Sequence, residues 1–210
     1  MTIITIIYNI GLVYRIDLKI HVNWTIMISK FGNIPCRIFL DSSILQALQD
    51  YGAFLYENEP LPKGDPIYRD PKGIAKLEAL RHIIQVSERA PFQFALSRNS
   101  FVEVQAKRDT QYLQLAYDVY DYWLNCLEES GEPCVDQTKL FAIDSTSYGY
   151  LGDGDRLLLK DALALECDTF LTMENKLPKN SAQIERTLGI RVLSPIGMWE
   201  YLQPWAALFY

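Results

Sequence analysis

The stretch Arg37-Ile38-Phe39-Leu40-Asp41-Ser42-Ser43-Ile44-Leu45 decides the fold class of this chain. It passes from a short apolar segment to a carboxylate, then to two hydroxyl residues, then to apolar residues at helical spacing. An unbroken apolar run of this length, bounded by a polar break, is the pattern of a strand buried on both faces, as in a parallel sheet. Asp41 then falls where the strand ends and the chain turns into a helix. In open α/β sheets that carboxyl edge is where ligands bind, so Asp41 is the first candidate functional residue.

Downstream, Ile44, Leu45, Leu48, Tyr51, Phe54 and Leu55 recur at helical spacing, and Ser43 with Gln46 has the form of a capping box. Residues 57–69, with Pro60, Pro62, Gly64 and Pro66, predict a loop. Asp70-Pro71 predicts the cap and first residue of a second helix, which carries Ile74, Leu77, Leu80, Ile83 and Ile84. Phe92 to Leu96 predicts a second strand, with Ser97 or Ser100 capping a helix that bears Phe101, Val102 and Glu103. Asp109 is expected to cap a long helix over 110–128, followed by a loop over 129–138. Lys139 to Ile143 fits either a short strand or a helical turn.

Asp153-Gly154-Asp155 opens a further helix, Asp168 to Thr172 predicts a third strand, and 173–179 predicts a loop. Ser181 to Leu188 predicts a helix that Gly189 ends. Ile190 to Leu193 is a last strand, and Ser194-Pro195 starts a final helix. Strands alternate with helices, so the expected fold is α/β: a three-layer α/β/α sandwich around a mainly parallel central sheet.

A chain of 210 residues is long enough for one domain with a single core. With 20 basic and 26 acidic residues its net charge is −6, which offers no bulk attraction to nucleic acid. Any such binding then needs a local basic patch. Cys36, Cys126, Cys134 and Cys167 form no CxxC pair, and His21 and His82 are the only histidines, so zinc sites and histidine-based triads are poorly supplied. Scattered cysteines without a secretory signal predict reduced thiols and a cytoplasmic protein.

Residues 1–32 read as an N-terminal extension outside the core, and 33–210 as the domain. Ile3, Ile4, Ile6, Ile7, Ile10, Leu12 and Val13 are apolar and β-prone. Asn9, Arg15, Asp17 and Lys19 interrupt that run short of the roughly 20 residues a membrane helix needs, so no membrane partner is expected.

Four acids fall at or just beyond strand ends, or on the first turns of the helices that follow: Asp41, Glu103, Asp155 and Glu174. One acid there is an ordinary cap. Four from distant segments imply a shared purpose, because like charges brought together raise one another's pKa and cost stability unless a cation neutralises them. Oxygen-only ligands suit Mg²⁺ or Mn²⁺, which activate water for phosphodiester hydrolysis and stabilise the departing oxygen.

These motifs, in order, resemble the PIN-domain family of nucleases. Ile38-Phe39-Leu40-Asp41-Ser42-Ser43-Ile44-Leu45 resembles the family's first motif, and Ser97 through Ser100-Phe101-Val102-Glu103 its second. Asp155-Arg156-Leu157-Leu158-Leu159 through Ala162-Leu163-Ala164-Leu165 to Thr169-Phe170-Leu171-Thr172-Met173-Glu174 resembles its third. Gly189-Ile190-Arg191-Val192-Leu193-Ser194-Pro195 is similar to its last strand and helix, so the likeness spans about residues 34–202.

The resemblance implies a PIN-like Mg²⁺- or Mn²⁺-dependent ribonuclease with Asp41, Glu103 and Asp155 as metal ligands. Glu174 would be a fourth acid, holding metal directly or through water, and Thr172 and Ser42 would help fix the phosphate or the metal's water. Asp153 and Asp161 lie close enough to Asp155 in sequence to take its place. The family usually has Asp where Glu174 stands. Arg98 and Arg156 are the cations nearest the acids and the expected phosphate contacts. Many members are toxins held by an antitoxin protein, and homodimers are frequent, so both partners are expected by resemblance. Two alternatives stand beside this reading. One is a catalytically weak or inactive PIN-like module that binds RNA or protein. The other is an α/β enzyme using Asp41 covalently, against which Asp41-Ser42-Ser43 lacks a second Asp two residues on.

Overall fold

Ile38 and Phe39 have no exposed surface and Leu40 only 3%, so strand β1 (Arg37–Leu40) is covered on both faces as its apolar run requires. It pairs in parallel with β2 (Gln93–Ala95) on one side and β3 (Thr169–Leu171) on the other, and β3 pairs with β4 (Arg191–Leu193). The sheet order is β2-β1-β3-β4. This computed structural model describes residues 34–90, 92–130, 137–145 and 148–208. The extension expected over 1–32 and most of the loop expected over 129–138 lie outside the described residues.

Register divides the core between the two faces of the sheet. Phe39 lies opposite Ala95 and Phe170, and Phe170 opposite Val192, so these side chains share one face. The Phe39 and Phe170 rings stack with centroids 5.3 Å apart. Onto this row pack Leu158, Leu159 and Ala162 of one helix (Asp153–Ala164) and Ile184 and Leu188 of another (Ser181–Leu188), together with Trp123 and Ile143. The opposite face presents Leu40, Phe94 and Leu171 to Ile44, Leu80, Ile83, Leu115 and Val119, which line a shared apolar cavity of about 330 Å³. Helices on both faces of a parallel sheet make the three-layer α/β/α sandwich expected from the sequence.

In chain order the helices are α1 (Ser42–Asp50), α2 (Gly52–Tyr56), α3 (Gly73–Ser87), α4 (Ser100–Ala106), α5 (Thr110–Ser130), α6 (Gln137–Ile143), α7 (Asp153–Ala164), α8 (Ser181–Leu188) and α9 (Pro195–Leu202). The ambiguous 139–143 segment is therefore helical. None of the described helices is long and apolar enough to cross a membrane.

Several boundaries follow local chemistry. Asp109 Oδ1 accepts from the N–H groups of Gln111 (2.8 Å) and Tyr112 (3.1 Å), and Ser194 Oγ from that of Gly197 (3.2 Å). Gly189 ends α8 at φ +79°, where a side chain would be strained.

Two caps differ from expectation. The N-cap of α1 is Asp41, and the Ser43 hydroxyl donates to the Asp41 carboxylate, a charge-assisted bond, instead of capping the helix. Asp70 and Pro71 form a turn ahead of α3, with Asp70 Oδ1 accepting from Lys72 N at 3.0 Å. α3 begins at Gly73, where the preceding 3₁₀ turn (Pro66–Arg69) leaves no room for a side chain: a Cβ there would lie 2.3 Å from Ile67 O.

Candidate functional site

Asp41 is the first residue beyond β1, and its N–H donates to Leu171 O at 3.0 Å, carrying the parallel ladder one step past the strand. Its side chain is buried at 8% exposure, with Oδ2 accepting from Ser43 Oγ (2.5 Å) and Thr172 Oγ1 (2.6 Å). Burial pushes its pKa up; the hydroxyl donors pull it down and the charge of Glu103 adds to the rise, leaving it above the ordinary value. The place is set by topology. From β1 the chain goes to β2 on one side and then returns past β1 to β3 on the other, and ligands collect where winding reverses in this way.

Thr172 stands at the matching position beyond β3, its N–H donating to Leu193 O at 3.0 Å. Its hydroxyl oxygen accepts from Glu174 N at 3.1 Å, and Ser43 Oγ accepts from Met173 N at 3.0 Å. Both hydroxyl hydrogens are thus committed to Asp41 while both oxygens hold the backbone leading to Glu174.

Glu103 lies on the first turn of α4 and accepts a hydrogen bond from the Ser42 hydroxyl, so Ser42 serves Glu103 rather than Asp41. The start of α7 comes against the same carboxylate: a Cβ on Gly154 would sit 3.6 Å from Glu103 Oε1. Asp155, half-buried, is on that first turn. Glu174, exposed at the rim, has its pKa raised by partial burial, then by the charges of Asp41 and Asp155, with Lys176 opposing and Glu103 adding a smaller push. Glu174 is thus within electrostatic reach of the other three acids named from sequence, and Asp41 of Glu103. Beneath them the buried Tyr112 donates to Ser42 O at 2.9 Å, and burial followed by the charges of Asp41 and Glu103 pushes its phenol up to about 12.

The other candidates are placed differently. Asp161 Oδ2 accepts from Ser97 Oγ (2.6 Å) and Asn99 Nδ2 (2.8 Å), so it braces the turn that feeds α4 rather than joining the acids. Asp153 is exposed and ion-paired with Arg156. Arg98 is exposed on the Ser97 turn.

Two contributors escaped the sequence reading. Ser43 looked like a cap. Lys76 is not among the sequence candidates, yet it is 2% exposed, with Nζ 2.8 Å from Asp70 Oδ2 and 2.6 Å from Met173 O. Its signal was its place on the buried face of α3, four residues before Leu80 and seven before Ile83.

Among the described residues, no three His, Cys, Asp or Glu side chains close on one point as a ready-made coordination shell. The donor chemistry nonetheless fits Mg²⁺ or Mn²⁺, since all donors are hard oxygens and one carboxylate is buried and pre-oriented. Mg²⁺ in particular keeps several waters and takes one or two protein carboxylates together with substrate phosphate. Comparison with protein-family models, with curated proteins and with solved structures finds no match.

Proposed function

We propose that this chain is a Mg²⁺- or Mn²⁺-dependent endoribonuclease of PIN type, hydrolysing RNA phosphodiester bonds at the cluster of Asp41, Glu103, Asp155 and Glu174. One observation carries the reading. Asp41, where the sheet's winding reverses, is buried and held by two hydroxyls, and Glu174 feels its charge together with those of Asp155 and Glu103, which come from two further segments. Such a cluster opposes folding on its own and is relieved by a cation.

The bound ion would be held by Asp41 with Glu103, Asp155 and Glu174, and it would supply a water of lowered pKa and neutralise charge on the phosphate. Ser43 and Thr172 fix the Asp41 carboxylate in one rotamer, and Ser42 does the same for Glu103. Arg98 and Arg156, with Lys107, Arg108, Lys176 and Lys179 near the acids in sequence, contact phosphates along the strand. In-line attack leaves a 5′-phosphate and a 3′-hydroxyl. By the same resemblance the protein acts as the cytoplasmic toxin of a toxin–antitoxin pair, bound by an antitoxin protein and working as a homodimer.

A second reading is favoured by the openness of the cluster, in which Glu103 and Glu174 are both exposed. It is a catalytically weak or inactive module of the same fold that binds RNA or protein. Incubating mixed single-stranded and structured RNAs with Mn²⁺ and the wild type, Asp41→Asn or Asp155→Asn decides between them. Cleavage by the wild type alone, abolished by chelation, is the expected result. Equal cleavage by all three proteins, or none of any substrate, removes the catalytic reading, and RNA retention without cleavage supports the binding module.

A further inference from the structure

An ammonium group as buried as that of Lys76 is costly unless it is paired and hydrogen-bonded. Its two acceptors are Asp70 Oδ2 and Met173 O, at 2.8 and 2.6 Å. Asp70 Oδ1 in turn accepts from Lys72 N at 3.0 Å, and the Asn175 side chain adds a small favourable pull on the same carboxylate. The residue before Glu174 is therefore tied to the ion pair, Met173 O accepting from Lys76, and the residue after it, Asn175, lies beside Asp70. From the opposite side Ser43 and Thr172 hold the N–H groups of Met173 and Glu174.

We propose that the Lys76–Asp70 pair is a clamp that positions Glu174 in the acidic site, which makes Lys76 a positioning residue for that site. The inference rests on the reading of the four acids as a metal centre. The clamp has work to do, because the charges of Asp41, Asp155 and Glu103 all push on the Glu174 carboxylate. A glutamate on a free loop would swing away from them. With the backbone of residues 172–174 held from two sides, only side-chain torsions remain for it to relax through, and ordering the carboxylate around a cation avoids the added cost of fixing that backbone.

A lysine that merely fills the core makes different predictions from a clamp. In metal-free protein, Lys76→Met is expected to speed amide hydrogen exchange at Met173 and Glu174 by about tenfold or more while leaving Phe170 and Val192 unchanged. In a double-mutant cycle it is expected to weaken Mn²⁺ binding about tenfold in the wild-type background and less than about twofold in Glu174→Gln. Exchange that rises uniformly, or does not change at Met173 and Glu174, overturns the clamp. So does an equal loss of Mn²⁺ affinity in both backgrounds. If Lys76→Met fails to fold, Asp70→Asn carries the same two measurements. Should the wild type bind no Mn²⁺, the metal reading falls while the exchange measurement still decides the clamp.

Discussion

Thr172 Oγ1 donates to Asp41 Oδ2 across 2.6 Å, joining the first residue past β3 to the first residue past β1. A neutral donor aimed at a buried carboxylate favours its charged form, the form a cation needs. Thr172→Val keeps the shape and removes both the donor to Asp41 and the acceptor for Glu174 N, and a hydrogen bond to a charged group alone is worth about 1.5–3 kcal/mol. Mn²⁺ affinity measured by calorimetry near neutral pH is expected to fall about tenfold or more, with Thr172→Ser retaining most of it.

The pH dependence of stability carries a definite sign. Asp41 and Glu174 have folded-state pKa values raised above their ordinary 3.8 and 4.5. Their contribution to stability is present below those ordinary values and is lost as pH rises through the raised ones. Asp70 is lowered from 3.8, chiefly by its hydrogen bond with Lys76, so its contribution is present above 3.8 and fades as pH falls further. Metal-free wild type is therefore expected to lose melting temperature from about pH 4 toward neutrality relative to Asp41→Asn. Parallel curves for the two proteins would contradict the assignment.

Loading the site should reverse that loss. Mn²⁺ at one hundred times its Kd stabilises a one-site protein by about 2.7 kcal/mol. The matching rise in melting temperature is expected in the wild type, reversed by chelator and absent in Asp41→Asn.

Asp161 and Asp155, on the same helix, are expected to part company. Asp161→Ala leaves the Ser97 hydroxyl and the Asn99 amide without their acceptor and is expected to cost about 1–3 kcal/mol in urea unfolding. Asp155→Asn removes one of several like charges, so its stability is expected to hold or rise while cleavage is lost.

What could be read from sequence was whatever is decided within a few residues. The apolar run of β1, the caps Asp109 and Ser194, and the C-terminal Gly189 all act over one turn, and the structure has them in place. Asp41 was legible for the same reason, as a carboxylate at the end of a buried strand. Ser43 was misread as a cap because the hydroxyl that shares its work, Thr172, is 129 residues away. Asp161 could not be separated from Asp155 until Ser97, 64 residues distant, claimed it. The segment over 139–143 was too short for its periodicity to choose between helix and strand.

The order β2-β1-β3-β4 has one more consequence. It lays the two sequence halves side by side, with β2 and β1 from the first half, β3 and β4 from the second, and a seam between β1 and β3. Each half brings two of the acids: Asp41 and Glu103 on one side, Asp155 and Glu174 on the other. Their mutual repulsion is thus a wedge driven into the seam, resisted by the ladder of β1 on β3, the stacked Phe39 and Phe170, and the Asp41–Thr172 bond. A cation seated among the acids would turn that wedge into a rivet, holding one half of the chain to the other.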